Sequence, residues 1–191
     1  MSESVKFWRV VRWADKYEVS QSRSIDKLSW VPVPINLNSN GYLEMMEKDN
    51  GIALFGCWMA IIQVVASCDL RGSWVKSNYQ PHNIRSLSIA TRVDRELVEE
   101  VINLTLQVGW IEEVEMPLSE LVSSIESIRD YRKLTKEERK HYKKPHPMEV
   151  WNNKFKPNID NSHPSDRQVC PKERRGEEKR EKERKEESVV V

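Results

Sequence analysis

The stretch GIALFGCWMAIIQVVASC, from Gly51 to Cys68, carries no charge in a chain where 32% of residues are charged. Ile52, Phe55, Met59, Ile62 and Ala66 recur at helical spacing, and apolar residues stand nearly all round the helix they imply. A helix without a polar face has to be surrounded by the rest of its domain. The apolar run from Ile52 to Ala66 is shorter than the roughly 20 residues that a membrane span needs. Burial at the centre of a protein core is the arrangement that remains, with Asp49 or Asn50 placed to cap the start.

The stretch IRSLSIATRVDRELVEEVINLTLQVGWIEE, Ile84 to Glu113, supplies what packs against it. It reads as two short helices broken at Thr91–Asp94. Asn83 is placed to cap the first and Asp94 the second, with Glu96 in the positively polarised first turn. Leu97, Val101, Leu104 and Val108 form a stripe flanked by Val98, Ile102 and Thr105, wide enough to seat the second helix on a core. Gly109 stands where a left-handed residue ends a helix, and a strand starting at Trp110 is expected to pair with Trp74–Lys76. The order helix, strand, helix, helix, strand is that of a winged helix-turn-helix, with the last wing strand absent or shortened to a turn.

Flanking segments complete the expected layout. FWRVVRW (Phe7 to Trp13) has the aromatic and β-branched make-up of extended structure. In WVPVPINLNSNGY, Pro32 and Pro34 exclude a helix. Pro117 suits a first helical position, and Leu118, Leu121, Val122, Ile125 and Ile128 make an amphipathic stripe after it. Beyond about Lys143 the periodicity is lost in a Pro- and Asn-rich stretch where Trp151 and Phe155 are isolated docking candidates. From Lys172 to Glu187 no apolar residue is left to offset the entropy of ordering. The predicted fold is therefore mainly α with a small β component. Residues 1–116 form a winged-helix-like domain with an N-terminal extended segment and a reduced wing. Residues 117–143 form a basic amphipathic helical region, and residues 144–191 a low-order, Pro/Asn-rich and charged tail.

Chemistry is constrained mainly by what is missing. Gly51 and Gly56 have the spacing of a phosphate loop, but Cys57–Trp58 stands where Lys and Ser/Thr are required. His141, His146, His163 and Cys170 follow no zinc-site spacing. Cys57 and Cys68 read as buried thiols, and three cysteines without a Cys-x-x-Cys pair fit a reducing compartment. Most of the seven tryptophans read as packing residues rather than stacking platforms. No signal-like segment follows Met1, so a cytoplasmic protein is expected, with no enzyme activity, no cofactor and no metal.

The net charge of +1 hides a strong local asymmetry. Residues 82–116 hold Arg85, Arg92 and Arg95 against Asp94, Glu96, Glu99, Glu100, Glu112, Glu113 and Glu115, a balance of −4. Phosphate affinity comes from cations that displace counterions, so an acidic second helix is a poor groove reader. Residues 129–144 hold Arg129, Arg132, Lys133, Lys136, Arg139, Lys140, Lys143 and Lys144 against Asp130, Glu137 and Glu138, a balance of +5, with Tyr131, His141 and Tyr142 interleaved. Such a stripe either tracks a nucleic-acid backbone or is a solvated helix face. The candidate DNA-binding residues are these eight together with Lys76, Arg85, Arg92 and Arg95.

SRSIDKLSWVPVP, GYLEMMEKDNGIALFGCWMAIIQVVASCDLRGSW, LSIATRVDRELVEEVI and VGWIE together resemble the N-terminal winged-helix domain of prophage-type replisome organisers, which are similar to DnaD-like primosome proteins. The resemblance covers about residues 7–113. It implies replication-initiation work: binding or remodelling of origin DNA, recruitment of a helicase or helicase loader, and homo-oligomerisation. The basic residues themselves predict weak, sequence-tolerant contact with DNA. The sequence departs from that pattern in lacking a complete C-terminal helical domain. Two further readings stand beside this one. A protein-interaction or self-assembly module needs no DNA. A transcriptional regulator needs base readout, for which the start of the second helix offers only Arg95.

Overall fold

The computed structural model describes residues 3–19, 22, 25, 28–33 and 36–155. In chain order these form β1 (Ser4–Val10), α1 (Trp13–Lys16), α2 (Asn40–Met46), α3 (Gly51–Ala66), α4 (Ile84–Thr91), α5 (Arg95–Gln107), β2 (Ile111–Pro117), α6 (Leu118–Lys133), α7 (Lys136–Lys140) and α8 (Pro147–Asn153). The described residues are mainly helical with one small antiparallel sheet. The charged tail from Lys172 to Glu187, with His163 and Cys170, lies outside them.

The uncharged helix α3 is the centre of the larger core. Leu54, Cys57, Trp58, Ile61, Ile62 and Val65 are all buried, and α2, α4 and α5 pack around them. Its buried face is not the one that the spacing Ile52–Phe55–Met59 suggested: Ile52 is 84% exposed, and Phe55 and Met59 are half-buried. A helix apolar all round cannot announce its inner face, so its neighbours choose it. On α5 the seated residues are Val98, Val101, Ile102, Leu104 and Thr105, and Leu97 and Val108 fall to the margin. The buried Thr105 hydroxyl donates to the Val101 carbonyl at 2.7 Å, so no polar group is stranded.

Local chemistry sets the helix ends. Asn83 and Ser86 cap α4 reciprocally: the Ser86 N–H donates to Asn83 Oδ1 at 2.8 Å, and the Asn83 N–H to Ser86 Oγ at 2.9 Å. Asp94 occupies the cap position of α5 but accepts no hydrogen bond there. Asn50 does the same at α3, its amide donating instead to Glu100 of α5 at 2.9 Å. Gly109, at φ +69°, makes the left-handed exit from α5 expected of it.

The sheet pairing differs from expectation. β2 pairs with β1, running from Ser4 opposite Pro117 to Val10 opposite Ile111, and not with Trp74–Lys76. Residues 72–74 bond to the other edge of β1: the Val10 N–H donates to the Gly72 carbonyl at 2.8 Å and the Trp74 N–H to the Trp8 carbonyl at 2.9 Å. The N-terminal strand thus stands between the two segments predicted to meet. β2 also continues to Pro117, so the next helix begins at Leu118 and Pro117 is its N-cap rather than its first residue.

The segment expected to follow as a separate helical region shares a core with the sheet. Leu121, Ile125 and Ile128 of α6 pack with Phe7 of β1, Met116 of β2, and Leu70 and Val75. The low-order stretch expected from residue 144 contains α8, whose Met148 and Trp151 close this second core. Trp151 lies along Phe7 at 6.3 Å between ring centroids and meets Phe155 edge-on at 4.9 Å. Both aromatics therefore dock, because a sheet face with α6 on only part of it leaves apolar area to cover.

Candidate nucleic-acid interface

The twelve candidate cations separate into two groups. In the first, Arg129 and Arg132 of α6 converge on one carboxylate, Asp69, in the turn after α3. Arg129 reaches Asp69 Oδ2 at 3.0 Å, and Arg132 reaches Oδ1 at 2.7 Å. Arg129 also binds Glu126 and the Tyr79 hydroxyl, both at 2.9 Å, and the Ser77 carbonyl. The Tyr79 hydroxyl donates in turn to Glu126, a bond that holds the Glu126 carboxyl below its ordinary range. Arg139 donates to the Arg132 carbonyl at 2.6 Å and lies over the Tyr131 ring. Lys133 pairs with Asp130 at 2.9 Å on the surface. The basic stripe read from sequence is thus partly a structural fastening between α6 and the turn at 69–79. Asp69 had no place in the sequence-derived site, because nothing in SCDLRGSW marks it as the partner of residues so distant in the chain.

In the second group, Arg85 in the first turn of α4 and Arg92 and Arg95 at the α4–α5 turn are exposed, and Lys136, Lys140, Lys143 and Lys144 are exposed on and after α7. Among the described residues none of these seven forms an ion pair. Lys76 is half-buried, near enough to His82 to affect its charge. Arg92 takes a left-handed conformation at φ +58° as the C-cap of α4, turning the chain into α5. Around it the Ser88 hydroxyl donates to the Val93 carbonyl at 2.6 Å, and the Thr91 hydroxyl to the Leu87 carbonyl at 2.8 Å. Two side-chain bonds therefore brace the turn that presents Arg92 and Arg95. On α5 itself Glu96 and Glu99 are exposed, so the start of that helix keeps its acidic face.

His82 sits just before α4, its N–H donating to the Trp74 carbonyl at 2.7 Å and its Nδ1 3.2 Å from Ser86 Oγ. Burial, and then the charge of Lys76, lowers its pKa from 6.5 to about 4. The folded chain therefore refuses a proton that the unfolded chain accepts. The stabilisation is complete above pH 6.5 and is lost as the pH falls towards about 4. The expected result is a urea midpoint that declines across this window, measured by circular dichroism. His82→Gln should flatten that decline, and an unchanged slope in the variant would contradict this account of His82.

Burial raises the Cys57 thiol to about 11 and the Cys68 thiol to about 12, which keeps both protonated at neutral pH. Among the described residues no three His, Cys, Asp or Glu side chains gather as a metal site would require. Nor, among them, is any helix long and apolar enough to cross a membrane. Set beside known protein families, curated proteins and solved structures, the chain matches none of them.

Proposed function

We propose that the chain is a replication-initiation protein of the replisome-organiser kind. In this reading a helix-turn-helix with a reduced wing acts as scaffold, and DNA is held weakly and without sequence preference. One observation carries the reading: among the described residues seven exposed cations, Arg85, Arg92, Arg95, Lys136, Lys140, Lys143 and Lys144, have no carboxylate partner, whereas Arg129 and Arg132 are held by Asp69. Unpaired cations keep their full capacity to displace counterions from phosphates. Paired ones would have to break a bond first, so Arg129 and Arg132 leave the contact set and join the scaffold. The acidic face of α5 argues against insertion of that helix into a groove. A helicase or its loader is the protein partner that this reading implies.

Fluorescence anisotropy with duplex and single-stranded oligonucleotides across a salt series tests it. Each phosphate contact adds about 0.9 to the log–log salt slope on duplex DNA. Changing Lys136, Lys140, Lys143 and Lys144 together to Gln should lower the slope by roughly 2–3 and weaken binding at low salt about 10- to 100-fold. Arg132→Gln should lower stability while changing the slope little. Absence of binding even at low salt would sink the proposal.

A second reading, a protein-interaction module that touches no DNA, is favoured by a separate observation. Val19, Ile25, Trp30, Val33 and Leu37, between 41% and 59% exposed, lie close together in sequence ahead of α2. A contiguous exposed apolar patch marks a contact surface, and in this reading these five side chains supply it. DNA binding measured beside light scattering separates the readings: self-association without DNA binding at low salt supports the second, and DNA binding lost on changing the four lysines with assembly intact supports the first.

A further inference from the structure

α8 is a short strap across the sheet, and one side chain governs how it starts. Pro147, its first residue, has no N–H, so the Met148 N–H is the first donor that needs a partner. His146 Nδ1 accepts it at 3.1 Å. That bond requires a neutral imidazole carrying its proton on Nε2. The ring stands edge-on against Tyr131 of α6, with 4.3 Å between centroids. Tyr142 leans on the same Tyr131 at 5.0 Å.

The charged groups that bear on His146 come from every neighbouring element. Arg71 comes from the turn after α3, Arg132 from α6, Arg139 from α7 and Glu149 from the first turn of α8. Asp69 neutralises part of this set through Arg132. Beyond its cap, the strap is held by Trp151 on Phe7, by Phe155 beneath the Arg9 guanidinium at 4.0 Å, and by Lys154 to Glu120 at 2.8 Å. The connector between α6 and α8 carries Lys136, Lys140, Lys143 and Lys144, and its two ends are fixed by those two helices.

We propose that His146 is a proton-operated latch: neutral, it caps α8 and keeps the cationic connector spanned between α6 and α8; protonated, it lets the strap go. A proton taken up from solvent on Nδ1 removes the acceptor, turns a donor towards the Met148 N–H and adds a cation among three guanidinium groups. Burial lowers the ring's proton affinity most, Glu149 opposes this, and Arg71, Arg132 and Arg139 lower it further. The folded pKa therefore lies below 6.5, and the cap is lost as the pH falls through that depressed value. Only the consequence for DNA contact rests on the replication reading. The latch itself is read without nucleic acid, so the two fail separately.

The test is amide hydrogen exchange by NMR on the full chain at about pH 7.5 and about pH 5, corrected for intrinsic exchange rates. Opening of α8, read at Met148, Val150 and Trp151 relative to Val101 and Ile102 of α5, should rise about five- to tenfold at the lower pH, the size of a lost cap. In His146→Asn, which caps without titrating, that rise should vanish. In His146→Ala, α8 should open equally at both values. Equal relative opening at the two values in the wild type, or an Asn variant that responds as the wild type does, overturns the latch.

Discussion

Replacing Gly72 with alanine should unfold a large share of the molecules at room temperature. Gly72 has φ +78°, a region that costs an L-residue about 1–2 kcal/mol. Space is the larger obstacle. A Cβ there would stand 2.5 Å from Trp13 Cγ and 2.7 Å from Trp13 Cβ, inside the atoms of a buried indole. The indole cannot swing aside freely, since it stacks on Tyr17 at 4.9 Å and its Nε1–H donates to Glu18 at 3.2 Å. Displacing it forfeits most of what a buried tryptophan contributes, about 3–5 kcal/mol. Native stability is typically about 5–15 kcal/mol, so the urea midpoint should collapse. A loss under about 1 kcal/mol would mean that Trp13 is not seated against this turn.

The neighbouring residue should give the second large effect. The Arg71 side chain is only 2% exposed, and its guanidinium faces Glu18, whose side chain is fully buried, at 3.6 Å. It also donates to the Ser22 carbonyl at 2.8 Å and to the Ile25 carbonyl. Trp13, Glu18, Ser22 and Ile25, four positions spread along the N-terminal region, thus meet one turn. Arg71→Met keeps the volume but strands a buried carboxylate, which costs about 3–5 kcal/mol. Adding Glu18→Gln should return a substantial part, because the neutral amide needs no counter-charge. Denaturation of the two single variants and the double variant gives the coupling directly. Strict additivity would refute the pair as the source of the loss.

These two residues also mark where the sequence was readable and where it was not. Trp74–Lys76 reads as extended structure, but nothing in the sequence marks Arg71–Gly72–Ser73 ahead of it as a clasp. Its partners lie far back in the chain, at positions with no pattern of their own. Signals confined to a few neighbours came through: the Asn83 cap, the Gly109 exit, and the amphipathic stripe of α6. Features decided by distant packing did not. An all-apolar α3 hid its inner face, and β1 took the place beside β2 that Trp74–Lys76 had seemed to fill. The candidate interface shows the same division. Counting charges found the cationic stretch, yet only the folded chain shows that Asp69 withdraws two of its strongest members.

The pairing of β1 with β2 has a consequence during synthesis. Val10 is opposite Ile111 and Ser4 opposite Pro117, so the strand of this pair that is made earlier waits for a partner made much later. At about 5–20 residues per second that delay is on the order of ten seconds. Throughout it the nascent chain carries Phe7 and Val10 with an unsatisfied backbone edge, a ready template for mispairing with another chain. Lys6 and Arg9, which later meet Glu113, Glu115 and Glu112, keep that waiting strand charged until its partner arrives.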